Sequence, residues 1–78
     1  MRSMVKIENI EQDGKIITID CYEEGDKERG HHVVFNIDTW DILNGVPNNI
    51  YIRQSMSRIG TLFEENAKLP KEASSYWV

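Results

Sequence analysis

The chain has one cysteine, two prolines and nine basic residues in 78, and each scarcity closes off a class of protein. A lone cysteine, Cys21, cannot form an internal disulfide, and no secretory leader pattern is present, so a reducing, cytoplasmic location is expected. No apolar run approaches the ~20 residues that a membrane-crossing helix needs, and no membrane association is expected. Bases are few and scattered: residues 46–78 hold four against three acids, while residues 1–45 hold five against ten acids. Isolated residues such as Arg53 and Arg58 do not make the basic stripe that nucleic acid requires, and nucleic acid is excluded as an expected partner. Glycines do not gather into a phosphate cradle, the Cys and His spacings of structural zinc sites are missing, and no paired-carboxylate cleft or oxyanion loop accompanies Cys21. The chain therefore reads as no enzyme, with no cofactor expected.

What is present is periodicity. Hydrophobic residues make up 40% and charged residues 28%, a globular balance for one small domain. Met1 to Ser3 precede a second methionine and are read as an upstream start or an appended remnant, leaving 4–78 as a single small α+β domain. From Lys15 to Asp38 two alternating runs flank a short stretch of Gly and charges, the pattern of a hairpin with one buried face. Ile17, Ile19 and Cys21 share one face, and His31, Val33, Phe35 and Ile37 share the matching face of the return strand. The register expected from these sets places Ile17 opposite Ile37, Ile19 opposite Phe35, Cys21 opposite Val33 and Glu23 opposite His31. Met4 to Glu11 adds a strand through a three-residue loop at Asp13-Gly14, with Gly14 in a bulge, Ile7 opposite Ile19, Val5 opposite Cys21, Lys6 opposite Asp20, and Ile10 against Ile16 on the far face.

Beyond the hairpin, Asp38 or Thr39 is expected to cap a short helical turn through Leu43. The period then changes. Ile52, Met56, Ile59 and Phe63 recur at helical spacing with Leu62 at the stripe's edge, which predicts a helix from Ile50 to Glu65, capped by Asn66 and stopped before Pro70. Residues 50–54 also satisfy a strand, with a shorter helix from Ser55, and the two remain open. Gly60 on the buried side implies a close approach to the sheet or to another helix. The expected fold is α+β: a three-stranded antiparallel meander packed on one amphipathic helix, with Tyr76-Trp77-Val78 docking as a fourth short strand or across the open sheet face.

One helix covers one face, and the other carries Ile10, Ile16, Tyr22 and Val34 among Lys6, Thr18, Asp20, His32 and Asn36. That mixture, with a central aromatic, is the composition of an interface. The expected partner-binding residues are Ile10, Ile16, Tyr22, His32, Val34, Tyr76 and Trp77. The expected function is a small non-enzymatic protein–protein interaction or regulatory module, acting as a homodimer or on another protein. Against this stands an intramolecular solution in which Trp40, Tyr76 and Trp77 fold back over the face. The alternative function is a zinc-binding accessory protein using Cys21, Glu23 and His31, a set that lacks a fourth ligand.

Overall fold

The computed structural model describes residues 2–65 and 68–78. Strands β1 (Ser3–Asp13), β2 (Ile16–Glu23) and β3 (Gly30–Asn36) are followed by helix α1 (Ile50–Glu65) and strand β4 (Ala73–Trp77). They form an antiparallel four-stranded sheet in the order β3-β2-β1-β4 with the helix on one face. This is the expected α+β meander, and the tail supplies its short fourth strand. Ser3, set outside the fold by its place before Met4, is the first residue of β1 and pairs with Trp77.

The β2–β3 ladder, and the β1–β2 ladder as far as Glu8, sit two residues away from the expected register. Ile17 lies opposite Phe35, Ile19 opposite Val33 and Cys21 opposite His31; on the other side Ile7 lies opposite Cys21 and Val5 opposite Glu23. An even shift leaves the residues of β2, of β3 and of β1 as far as Glu8 on their expected faces while changing their neighbours. A steric constraint accompanies the β2–β3 register, because Gly30 faces Tyr22. A Cβ on residue 30 would come within 2.8 Å of the Tyr22 ring, so any larger residue there would displace the ring.

The β1–β2 turn is a two-residue turn, Gly14-Lys15, with Gly14 at φ 61°, as a II′ hairpin asks of its first central residue. The bulge lies further along, between Glu8 and Glu11, where Asn9 adopts φ 52°. One extra residue reverses the alternation, so Ile10 turns to the helix side and is buried rather than facing outward opposite Ile16. The left-handed backbone is tolerable because asparagine is among the few residues that visit it.

The core joins Val5, Ile7, Ile10, Ile17, Ile19, Val33 and Phe35 on the sheet to Ile52, Met56 and Ile59 on α1. Residues 50–54 are helical, which resolves the open choice. Asn49 caps the helix, its Oδ1 accepting from the Ile52 N–H at 2.9 Å. The helix has no acid in its first turn and no base in its last turn, so burial rather than the macrodipole holds it. The Asn66 cap lies outside the described residues.

The expected helical turn after β3 is absent. Asn36 Oδ1 accepts from the N–H groups of Asp38 and Thr39, and the chain then reverses through Trp40 at φ 66°. Residues 41–44 return along the outer edge of β3: Leu43 N–H donates to Val34 O, and the Asn44 amide both accepts from Val34 N–H and donates to His32 O. Those backbone groups of the strand would otherwise be unpaired at an open edge. The reversal also lays the Trp40 indole over Phe35, with centroids 6.1 Å apart, and against Gly60, where a Cβ would fall 2.5 Å from Cη2. The close approach to Gly60 is thus made by a ring.

Gly60→Ala gains helix propensity but strikes that ring, and a Trp40→Ala background removes the obstacle. Gly60→Ala is expected to stabilise Trp40→Ala protein by about 1 kcal/mol, and in the wild type that gain is cancelled or reversed by overpacking. Urea unfolding of the four proteins of the cycle checks this, and equal effects of Gly60→Ala in both backgrounds would refute the contact.

Candidate functional site

Each histidine is engaged by a carboxylate, one pair on each face of the sheet. On the helix side Glu23 reaches diagonally to His31, Nε2 to Oε2 at 2.6 Å; the Asn49 amide donates to the same oxygen at 3.3 Å, while the Arg29 guanidinium holds Oε1. The expected pair therefore forms although the two residues are not directly opposite. Because Asn49 is also the helix cap, this cluster ties the hairpin's loop end to the start of α1. Tyr51 adds a second tie, its hydroxyl donating to Glu24 at 2.9 Å.

Cys21, between these groups and the core, is fully buried. Burial pushes its thiol up, and the Asp20 and Glu23 carboxylates act in the same direction, the reverse of what a nucleophilic or metal-binding thiolate requires. Among the described residues no group of three or more His, Cys, Asp or Glu side chains is placed to hold a metal ion. Cys21, Glu23 and His31 do share a face, but Glu23 is spent on His31, Arg29 and Asn49. Two surface clefts, of about 480 Å³ beside Ile10 and Leu69 and about 310 Å³ beside Trp40 and Met56, have no histidine or cysteine in their linings.

The opposite face is the broader candidate. Ile16, Tyr22 and Val34 are half-buried there, with His32 exposed, and Tyr76 on β4, which is 56% exposed, continues it beside Met4. Of the expected surface, Ile10 and Trp77 lie elsewhere. The bulge takes Ile10 into the core, and the pairing of Ser3 with Trp77 puts the indole on the helix side, edge-on to Tyr51 with centroids 5.5 Å apart. Trp40 also packs on the helix side. The intramolecular cover for the open face is thus not formed: two of its three aromatics point away.

Charge is graded along this face. At one end Lys27 sits 4.2 Å over the Tyr22 ring and Arg2 5.3 Å over Tyr76, each cation resting on a π-face. Towards the other end lie Glu8, Asp20, Glu11 and Asp13. Lys27 bonds Glu8, and Lys6 meets Glu72 at 3.4 Å. Asp20 accepts from Asn9 at 2.8 Å and pairs with His32 Nδ1 at 2.7 Å. Arg2 and Lys27 escape sequence reading because one precedes the patterned strand and the other belongs to a charged loop; the aromatic partner of each becomes visible only once the strands are paired.

Burial raises the Asp20 carboxyl, but hydrogen bonds from His32 and Asn9 outweigh it and hold the group below its usual range. For Glu23 the His31 hydrogen bond is the main cause of a lowered value, with burial opposing and Arg29 assisting. A carboxyl depressed by folding stabilises the folded state above its unfolded value and loses that contribution as the pH falls through its folded one. Unfolding free energy is therefore expected to decline as the pH drops from about 5 towards 3. An Asp20→Asn, Glu23→Gln double variant is expected to be less stable at neutral pH and to decline less steeply. Urea unfolding across that range checks it, and parallel declines would count against the two pairs. No family model, curated protein or solved structure matches the chain.

Proposed function

We propose that this chain is a small, non-enzymatic protein–protein interaction module that works as a homodimer and presents its open sheet face to a protein partner. One observation carries this: a face bearing Ile16, Tyr22, Val34 and Tyr76 is left uncovered by a chain whose two tryptophans both pack on the other side. Apolar groups interleaved with charges, and aromatics carrying stacked cations, are the composition of transient interfaces. The small size supports self-association, since a chain this short buries a modest share of its surface alone. A buried, unreactive Cys21 and histidines already bonded to carboxylates support a binding role over a catalytic one. A thiol with no disulfide partner suits the reducing cytoplasm.

Acids outnumber bases on the face, so the complementary partner offers basic groups beside apolar ones and binds less tightly as salt rises. The test is affinity capture from the native cell with wild-type protein, with Tyr22→Glu, and with Glu64→Gln as a change on the exposed side of α1. Tyr22→Glu is expected to lose the salt-sensitive partner that the other two retain, with folding verified by circular dichroism. Identical capture by all three baits overturns the open face as the binding surface.

A further inference from the structure

The two edges of the sheet are finished differently. The edge at β3 is occupied by residues 41–44, with Asn44 standing in for a strand residue. The edge at β4 has no such cover: among the described residues, no hydrogen bond beyond its pairing with β1 involves residues 73–77.

Which groups point outward follows from the ladder. Met4 O accepts from Glu24 N–H on the β2 side, and bonding direction alternates along an antiparallel strand. Met4 and Lys6 therefore bond towards β2, while Ser3, Val5 and Ile7 bond towards β4 and engage Trp77, Ser75 and Ala73. The N–H and C=O groups of Ser74 and Tyr76 face outward. Strand edges are usually blunted by a charge, a proline or a bulge, and Ala-Ser-Ser-Tyr-Trp contains none of these.

We infer that a second copy of this chain pairs antiparallel with β4 through Ser74 and Tyr76, about a two-fold axis at Ser75, joining two sheets into one of eight strands. The occupant is identified by self-complementarity. Reversed upon itself, β4 sets Ser75 against Ser75, Ser74 against Tyr76 and Ala73 against Trp77, so each aromatic meets a small residue on its own face. The same arrangement brings Tyr76, with Arg2 stacked on it, diagonal to Glu72 of the other copy. Arg2 and Glu72 make an opposite-charge pair across the axis, formed twice by symmetry. Both open faces remain available and become one continuous surface. This rests on the homodimer reading above and says where the two copies meet.

Two variants and the wild type separate the possibilities. Ser74→Pro removes an outward N–H while leaving the inward ladder intact, deleting two bonds across the axis. Ser75→Cys places two thiols in a non-hydrogen-bonded pair, whose Cα separation of about 4.5 Å falls within the range a disulfide spans. Sedimentation equilibrium is expected to give twice the monomer mass for wild type at high micromolar concentration, with Ser74→Pro weakened by about tenfold or more. Oxidation with glutathione disulfide is expected to convert Ser75→Cys to a covalent dimer, while wild type, whose Cys21 is buried, does not cross-link. If wild type is a dimer and Ser75→Cys stays uncoupled, the β4 edge is overturned and self-association by another surface stands. If wild type is a monomer throughout, both fall. Should Ser74→Pro not fold, the Ser75→Cys result decides.

Discussion

A sheet has two faces, and the described residues supply one helix to place on them. The apolar stripe of α1, Ile52, Met56 and Ile59, closes over Ile7, Ile17, Ile19, Val33 and Phe35, and most other features serve that closure. Asn49 starts the helix and holds Glu23, fixing the angle at which the stripe reaches the sheet. The bulge at Asn9 sends Ile10 to the same side, adding apolar surface to the covered face and removing it from the other. With burial concentrated on one side, the opposite face becomes a polar and aromatic mixture rather than a second core.

Aromatic residues complete the covered side at its margins. Trp40 accepts a left-handed backbone, a costly conformation for a bulky side chain, and in return stacks on Phe35 and fills the space above Gly60. The same reversal seats residues 41–44 on the outer edge of β3, so one strained residue both extends the core and closes an edge. Trp77 packs against Tyr51 at the other margin, leaving the β4 backbone exposed. A face and an adjoining edge that no other described residue covers therefore meet at Tyr76, whose side chain lies on the face and whose backbone lies on the edge. That coincidence joins the proposed partner surface to the proposed dimer contact.

Polar pairing differs between the sides. Glu23, His31, Arg29 and Asn49 make a joint between hairpin and helix, with little left to bind anything else. Asp20, His32, Asn9, Lys27 and Glu8 lie on the open face, where solvent reaches them and a partner can compete for them. The first set is structural; the second belongs to the candidate interface.

Alternation and helical spacing alone determined the three meander strands, the helix beyond residue 54, most of the inward set from Val5 to Ile37 and the stripe of α1, because side-chain direction follows from local geometry with periods of 2 and 3.6; the state of residues 50–54 and the path after β3 did not follow from it. The same local rules put Ile16, Tyr22, His32 and Val34 on the open face. Registers, the bulge, the path of Trp40 and the side taken by Trp77 were decided only in three dimensions. A two-residue slide keeps every face, so patterning cannot distinguish the slid ladder from its neighbour; the fit of Gly30 beneath Tyr22 accompanies one and not the other. The fate of Ile10 turned on whether Asn9 occupied the left-handed region, which asparagine permits without demanding, and the advantage of doing so exists only once a helix is waiting to bury the isoleucine.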